Sequence, residues 1–239
     1  MKKATALIFA FIFSFALFSG CASRETENGQ KLKIVAASFP EYDWLREIMG
    51  EKFSEADVSF LCKNGTDLHS YQPTADDIIK ISVCDIFICS GGPSSAWTDG
   101  ALKNAENKEM TVIRLTEVLG DGVKTEETVE GMEEENNGEA ETEIDEHVWL
   151  SIKNAEKLCE KIEETLSEKD SSNADIYKKN TDEYIKKLDA LDKEYEKTVS
   201  EAKRKTLLFA DRFPFRYLTD DYNLTYYAAF AGCSAESEA

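Results

Sequence analysis

Four short apolar runs occur in the first half of the chain: residues 32–37 (LKIVAA), 58–62 (VSFLC), 85–89 (DIFIC) and 111–115 (TVIRL). We interpret each run as a β-strand of a buried sheet, because each is short and followed by polar or turn-forming residues. The spacing between the runs leaves room for one helix after each of the first three strands. These runs therefore decide the fold class.

Helical patterns lie between the runs, at residues 41–52, 73–81 and 94–104. Pro73 would then stand in the first turn of the second helix, where its missing N–H costs nothing. The alternation predicts an α/β fold, with a parallel-sheet lobe and flanking helices. Ligands of such sheets bind beyond the carboxyl ends of the strands, so the loops at that edge become the candidates for a site.

Residues 120–146 break this pattern, because they contain twelve acidic residues and a single basic one, Lys124. A segment with so much like charge cannot bury itself, so we expect a mobile, solvated loop within a first lobe that covers residues 32–168. Two roles stay open for its carboxylates. They concentrate cations near a binding cleft, or they form a solvated linker.

Two helices follow, at residues 152–168 and 171–204. The apolar residues of the second recur at spacings of three, four and seven, which predicts one apolar stripe and a wet opposite face. Because about 30 residues of helix span on the order of 45 Å, we expect this helix to brace two lobes. A strand–helix–strand pattern at residues 205–239 predicts the start of a second, truncated α/β lobe, since two strands alone make a poor sheet.

The composition excludes whole classes of function. The chain has 239 residues, with 28 Lys and Arg against 47 Asp and Glu, so its formal net charge is −19. Phosphate binding needs clustered cations, and this balance therefore argues against a nucleic-acid partner. Only two histidines are present, which excludes a zinc site built from three histidines of this chain alone.

The N-terminus has the pattern of an export signal. Two lysines precede an apolar run at residues 4–18, which is too short for a comfortable membrane span. A lone membrane anchor is the alternative interpretation. The Ser-Gly-Cys ending resembles a bacterial lipoprotein signal, which implies removal of residues 1–20 and acylation of Cys21. Polar residues at 21–31 would then be a flexible tether between the lipid and the folded protein.

The two histidines are the sharpest chemical feature. His69 lies in the loop after the second predicted strand, and His147 lies just before a predicted helix. Neutral imidazole is a favoured ligand of zinc and similar metals. A single histidine in a loop is usually structural or merely exposed. Because parallel sheets gather such loops at one edge, the pair together predicts a metal site.

Five stretches carry a resemblance to the zinc and manganese solute-binding proteins of ABC importers. They are GTDLHSYQP at 65–73, DEHVWL at 145–150, NADIYKKNTDEYIKKLDALDKEY at 173–195, FRYLTDDYNL at 215–224 and GCSAESE at 232–238. The resemblance implies two α/β lobes joined by one long rigid helix, with a metal ion between the lobes. It also implies that His69 and His147 are the two metal ligands from the first lobe.

Two departures from this family pattern concern the remaining ligands. The family's third ligand, a histidine or glutamate, precedes the first residue of FRYL by three positions, where this chain has Arg212. A guanidinium group has no lone pair for a metal, so the neighbouring Asp211 is a weak candidate to replace it. The fourth ligand of the family would lie beyond Ala239. We therefore expect the chain to be C-terminally incomplete.

The resemblance implies extracytoplasmic capture of a divalent transition metal and its delivery to an ABC permease, by a protein anchored in the cell membrane through its lipid. Imidazole ligands favour zinc, although manganese stays open because half of the ligands are unassigned. An alternative is a surface adhesin or scaffold that retains the fold without transport. A metallohydrolase is less favoured, because no H-E-x-x-H, G-x-S-x-G or P-loop motif is present. We therefore predict that the protein is not an enzyme.

Overall fold

A computed structural model describes residues 31–63, 65–132 and 144–232 of the chain. The predicted signal peptide at 1–20, the lipidation candidate Cys21 and all but the last residue of the predicted tether lie outside the described residues. Among the helices that are described, none combines the length and the apolar character needed to cross a membrane.

The first sheet has four parallel strands, and this confirms the predicted fold class. The strands are β1 (Lys33–Ala36), β2 (Asp57–Phe60), β3 (Ile86–Cys89) and β4 (Thr111–Arg114). Their order in the sheet is β2-β1-β3-β4, and every pair is parallel. The carboxyl ends of all four strands therefore lie at one edge, which is where the loop that carries His69 begins, after β2.

Four helices accompany the first sheet: α1 (Phe39–Met49), α2 (Ala75–Val83), α3 (Trp97–Lys103) and α4 (Leu115–Leu119). The start of α2 differs from the prediction. Pro73 precedes the helix, and Thr74 is the N-cap, with its side chain accepting a hydrogen bond from the backbone N–H of Asp77. A threonine at this position satisfies one of the free N–H groups of the first turn, which a proline cannot do.

Both faces of the first sheet are covered. Alternate strand residues point to opposite faces. One face, with Ile34 and Ile88, packs against α1 and the later helix α5 (Ile152–Lys169). The other face, with Val35 and Phe87, packs against α2 and α3. All four residues of β3 are buried, as a central parallel strand requires.

The long helix α6 (Ala174–Glu201) has 28 residues and is therefore about 42 Å long. Tyr177 and Thr181 in its first half are buried. The predicted apolar stripe does not stay buried, because Leu191 and Tyr195 in the second half are exposed. The Tyr195 ring instead stacks on Tyr222, with ring centroids 5.3 Å apart.

A second sheet follows α6. Its two parallel strands are β5 (Thr206–Phe213) and β6 (Thr225–Ala231), with helix α7 (Arg216–Asp221) between them. One face of this sheet buries Phe213, Tyr226 and Ala228 in a small apolar cluster. On the other face Leu208 is 82% exposed. We refer to β5, α7 and β6 together as the second-sheet region.

Candidate metal centre

His69 lies in a 3-10 turn, Leu68–Ser70, in the loop that follows β2. The turn is fixed by Asp67, whose Oδ1 atom accepts a hydrogen bond from the backbone N–H of His69 at 3.0 Å. An aspartate two residues before a donor forms this local bond readily, which is why the sequence folds into a turn here. The imidazole points inward, and its side chain is 11% exposed.

His147 is held by the same local arrangement. It immediately precedes the 3-10 turn Val148–Leu150, which leads into α5. The Oδ1 atom of Asp145 accepts a hydrogen bond from the backbone N–H of His147 at 2.9 Å. His147 is buried, and so is Asp145. Both histidines thus follow an aspartate by two residues, and in both cases that aspartate fixes the histidine's backbone.

The two imidazoles meet although 78 residues separate them in the sequence. Their Nε2 atoms are 3.2 Å apart, and their ring centroids are 5.1 Å apart. Two nitrogen ligands of a tetrahedral zinc ion, each about 2.0–2.1 Å from the metal, lie about 3.3 Å from one another. The observed separation matches that of two ligands of one zinc ion, and it is also the length of a hydrogen bond between the two rings.

A carboxylate accompanies the other nitrogen of each ring. The Nδ1 atom of His147 is 2.8 Å from Oδ1 of Asp145, and Nδ1 of His69 is 3.2 Å from Oε1 of Glu146. A carboxylate in this position favours the tautomer with its proton on Nδ1. With the proton on Nδ1 of both rings, both Nε2 atoms carry lone pairs that a bound cation can share; a further proton on one Nε2 instead joins the two rings by a hydrogen bond.

Glu146 is fully buried, and its carboxylate contacts other groups besides His69. Its Oε2 atom accepts hydrogen bonds from the Ser94 hydroxyl at 2.7 Å and from the Ser94 backbone N–H at 3.2 Å. Burial alone would raise the pKa of this carboxyl, but the bonds from His69 and Ser94 outweigh it and hold the pKa below its ordinary value. Gly92 makes room for this carboxylate, because a Cβ atom there would overlap the Glu146 side chain.

The His69 imidazole is biased toward its protonated form. Its hydrogen bond to Glu146 raises the pKa of His69, and this effect exceeds the opposing effect of burial. The site therefore carries negative charge that attracts a cation, whether the cation is a proton or a metal. A metal that binds Nε2 of His69 must compete with that proton.

The prediction that residues 120–146 form a solvated loop is wrong for the last two residues, Asp145 and Glu146. Asp145 and Glu146 are 1% and 0% exposed, because their carboxylates serve the two imidazoles. Residues 133–143 of that segment lie outside the described residues. Its two ends are joined, since Thr125 and Ile144 form an antiparallel β-bridge and the Asp145 N–H donates to the Lys124 carbonyl at 2.9 Å.

Glu126, near the start of the same segment, also approaches this centre. Candidate ligand atoms of Glu126, Asp145 and His147 lie within 4.8 Å of one another. Nothing in the sequence pattern distinguishes this glutamate from its acidic neighbours. A signal for the two aspartates was nevertheless present, because Asp67 and Asp145 share the spacing Asp-x-His.

Arg212 and Asp211 lie on β5, and their side chains differ in direction. The Nη1 atom of Arg212 donates to Oδ2 of Asp67 at 3.2 Å, so the arginine reaches the loop of His69. Asp211 is exposed, and its Oδ1 atom accepts a hydrogen bond from the Arg212 backbone N–H at 2.8 Å. The guanidinium group at the expected third-ligand position thus contacts the aspartate that fixes His69.

Comparison with known proteins identifies relatives along nearly the whole chain. Residues 34–239 match the family described as zinc-uptake complex component A, periplasmic. The zinc-binding lipoprotein AdcA of Streptococcus pneumoniae (strain TIGR4) is 32% identical over 240 residues, which is 100% of this chain and 46% of AdcA. The high-affinity zinc uptake system protein ZnuA of Bacillus subtilis is 29% identical over 249 residues, which is 100% of this chain and 74% of ZnuA.

A solved structure agrees with these matches. The crystal structure of the Zn(II)-bound ZnuA-like domain of S. pneumoniae AdcA superposes with a TM-score of 0.66 and 32% identity, over 87% of this chain and 70% of that one. The chain spans less than half the length of the AdcA relatives. Because the family match covers most of the sequence, the chain belongs to the zinc-uptake complex component A family.

Proposed function

We propose that this protein captures Zn²⁺ outside the cytoplasmic membrane, with Nε2 of His69 and Nε2 of His147 as metal ligands, and delivers it to the permease of an ABC importer. The observation that carries the proposal is the pair of Nε2 atoms 3.2 Å apart, each on a ring whose Nδ1 atom faces a carboxylate. Both rings are thereby oriented for a cation before it arrives.

The carboxylates support the two ligands in a specific way. A histidine that donates its Nδ1 proton to a carboxylate is a more basic ligand at Nε2, and it cannot rotate away from the metal. The Nδ1 atom of His147 is hydrogen-bonded to Asp145 at 2.8 Å, and the Nδ1 atom of His69 lies 3.2 Å from Oε1 of Glu146. Because the pKa of His69 is raised, a proton competes with zinc for this ring, so capture is favoured at neutral rather than acidic pH.

Zinc is favoured over manganese by the type of ligand. Imidazole nitrogen suits zinc, whereas manganese prefers carboxylate and water oxygen. Relatives of this chain are named zinc-binding proteins, and their solved structures include Zn(II)-bound forms. Two imidazoles fill half of a tetrahedral shell. Asp211 is our weak candidate for a further ligand, and Arg212 is excluded from coordination by its lack of a lone pair.

The division of the chain and its attachment to the membrane belong to the same proposal. Residues 32–168 would form the metal-binding lobe, residues 171–204 the linking helix, and residues 205–239 part of a second lobe. An acyl chain on Cys21, after removal of residues 1–20, would hold the protein at the outer face of the membrane. AdcA of S. pneumoniae is named a lipoprotein, and the family is described as a periplasmic component of an uptake complex.

Calorimetric zinc titration of chelator-stripped protein tests this proposal. We expect one zinc ion per chain in the wild type and a loss of at least 100-fold in affinity in His69→Ala and in His147→Ala. A chain with only two histidines makes the result easy to assign. The same affinity in all three proteins, or no binding by the wild type, would refute the proposal.

A further inference from the structure

Each candidate metal ligand is held by an aspartate, and each of these aspartates is in turn contacted from the second-sheet region. Asp67 fixes the backbone of His69, and Asp145 fixes both the backbone and the Nδ1 atom of His147. The second-sheet region contacts Asp67 through Arg212 on β5 and Asp145 through Tyr217 on α7. The two contacts are independent, because they involve different elements and different donors.

The first contact is an ion pair between Arg212 and Asp67. One carboxylate oxygen of Asp67 accepts from the His69 N–H at 3.0 Å, and the other accepts from the Arg212 guanidinium at 3.2 Å. The aspartate is therefore shared between the turn that carries His69 and strand β5. A displacement of β5 would pull on this carboxylate and change the orientation of the turn.

The second contact is a buried hydrogen bond. The hydroxyl of Tyr217 donates to the main-chain carbonyl of Asp145 at 2.7 Å and accepts from the N–H of Lys124 at 2.9 Å. Tyr217 is 1% exposed, and its ring belongs to the main apolar cluster. Helix α7 is thus hydrogen-bonded to both chain segments that the Thr125–Ile144 bridge joins, next to His147.

We propose that Arg212 and Tyr217 are positioning residues, which hold Asp67 and Asp145 so that the two Nε2 atoms keep the spacing of zinc ligands. This inference rests on the proposed function. Zinc affinity and the placement of the second-sheet region are then coupled, and such coupling is reciprocal. Bound zinc stabilises the contacts of the second-sheet region, and a partner that shifts β5 or α7 accelerates zinc release.

Charge makes the effect of Arg212 diagnostic. A guanidinium near a zinc ion repels it, so removal of this charge should by Coulomb interaction alone slow zinc release. Loss of positioning has the opposite sign, because Asp67 and the turn of His69 become free to move. Faster release from Arg212→Gln therefore identifies positioning, and slower release identifies simple repulsion.

The experiment measures zinc release from the loaded full chain by stopped flow, with excess chelator as the trap. The variants are Arg212→Gln, Tyr217→Phe and the double variant. Tyr222→Phe is the matched control for the tyrosine, because its hydroxyl binds Asp192 on α6 at 2.7 Å. Arg46→Gln, on an exposed helix face, is the control that removes one positive charge.

We expect each single variant to release zinc about fivefold faster, which is the size of one net hydrogen bond, and the double variant to release it at least 20-fold faster. Both controls should stay within twofold of the wild type. Arg212→Gln should add nothing in an Asp67→Asn background, since the shared carboxylate is already lost.

Unchanged or slower release from both single variants, with zinc still bound by the wild type, would overturn the positioning roles and leave the proposed function intact. If the wild type bound no zinc, the proposed function and the positioning roles would both be refuted. The zinc stoichiometry of the wild type therefore separates failure of the function from failure of the positioning roles alone. Arg212→Lys, which keeps the charge and a donor, guards against a folding defect. We expect Arg212→Lys to show no more than half of the increase in zinc release rate that Arg212→Gln shows.

Discussion

The first sheet and the second-sheet region are built from the same strand–helix–strand unit, yet they differ in what covers them. Helices cover both faces of the four-stranded sheet, and β3 is wholly buried. The two-stranded sheet buries one face, and Leu208 on the other is 82% exposed. Both histidines belong to loops around the first sheet, whereas the second-sheet region contacts the aspartates behind them. The two histidines thus belong to the region that is covered on both faces, and the less covered region contacts the aspartates behind them through hydrogen bonds.

The largest expected effect separates the cores of the two regions. Ile88→Ala in β3 removes a fully buried side chain, so we expect a loss of about 2–5 kcal/mol in the free energy of unfolding. Leu208→Ala on β5 removes an exposed side chain and should change that free energy by no more than about 0.5 kcal/mol. Urea unfolding of the metal-free protein measures both values. Equal costs would contradict the contrast in burial.

A buried carboxylate sharpens the comparison through its pH dependence. Glu41 of α1 is fully buried, and this burial raises its pKa from 4.5 to about 7 in the folded protein. The fold therefore binds this proton more tightly than the unfolded chain does, so Glu41 lowers stability as the pH rises from about 4.5 to 7. We expect Glu41→Gln to gain on the order of 3 kcal/mol over the wild type across that window.

Thermal unfolding at pH 5 and at pH 8 measures this gain. The control is Glu201→Gln at the exposed end of α6, which should show the same difference from the wild type at both pH values. A Glu41→Gln variant that tracked the wild type at both pH values would mean that Glu41 is not effectively buried.

A smaller effect concerns the support of His69. The bond to Glu146 is the main cause of the raised pKa of His69. Zinc affinity should therefore fall as the pH drops through that raised pKa, because the proton occupies the metal's nitrogen. In Glu146→Gln we expect about tenfold weaker zinc binding at neutral pH, or about 1.4 kcal/mol, and an acid-induced loss that begins at lower pH.

Zinc titrations at several pH values check this result, and Glu41→Gln is the buried-carboxylate control, with affinity expected within twofold of the wild type. If Glu146→Gln and the wild type lost zinc over the same pH range, Glu146 would not be the group that supports His69.

The sequence predicts the first sheet well, because short apolar runs and helical spacing reflect burial directly. It also predicts that the two histidines meet, since loops at one edge of a parallel sheet converge, while their role as metal ligands stays a prediction. The sequence does not predict that the carboxylates of Asp145 and Glu146 lie beside the two imidazoles. Asp145 and Glu146 stand at the end of an acidic segment, and composition cannot reveal that their partners include an imidazole almost 80 residues away. Likewise, no periodicity indicates that Leu191 and Tyr195 of α6 would stay exposed.

Histidine nitrogen NMR of the ¹⁵N-histidine-labelled protein tests the central claim most directly, since only two rings contribute signals. On addition of one equivalent of zinc, we expect both Nε2 resonances to shift to metal-bound positions while both Nδ1 atoms keep their protons. Coordination through Nδ1, or a shift of one ring alone, would contradict the account of two imidazoles that bind one ion and are oriented by Asp145 and Glu146.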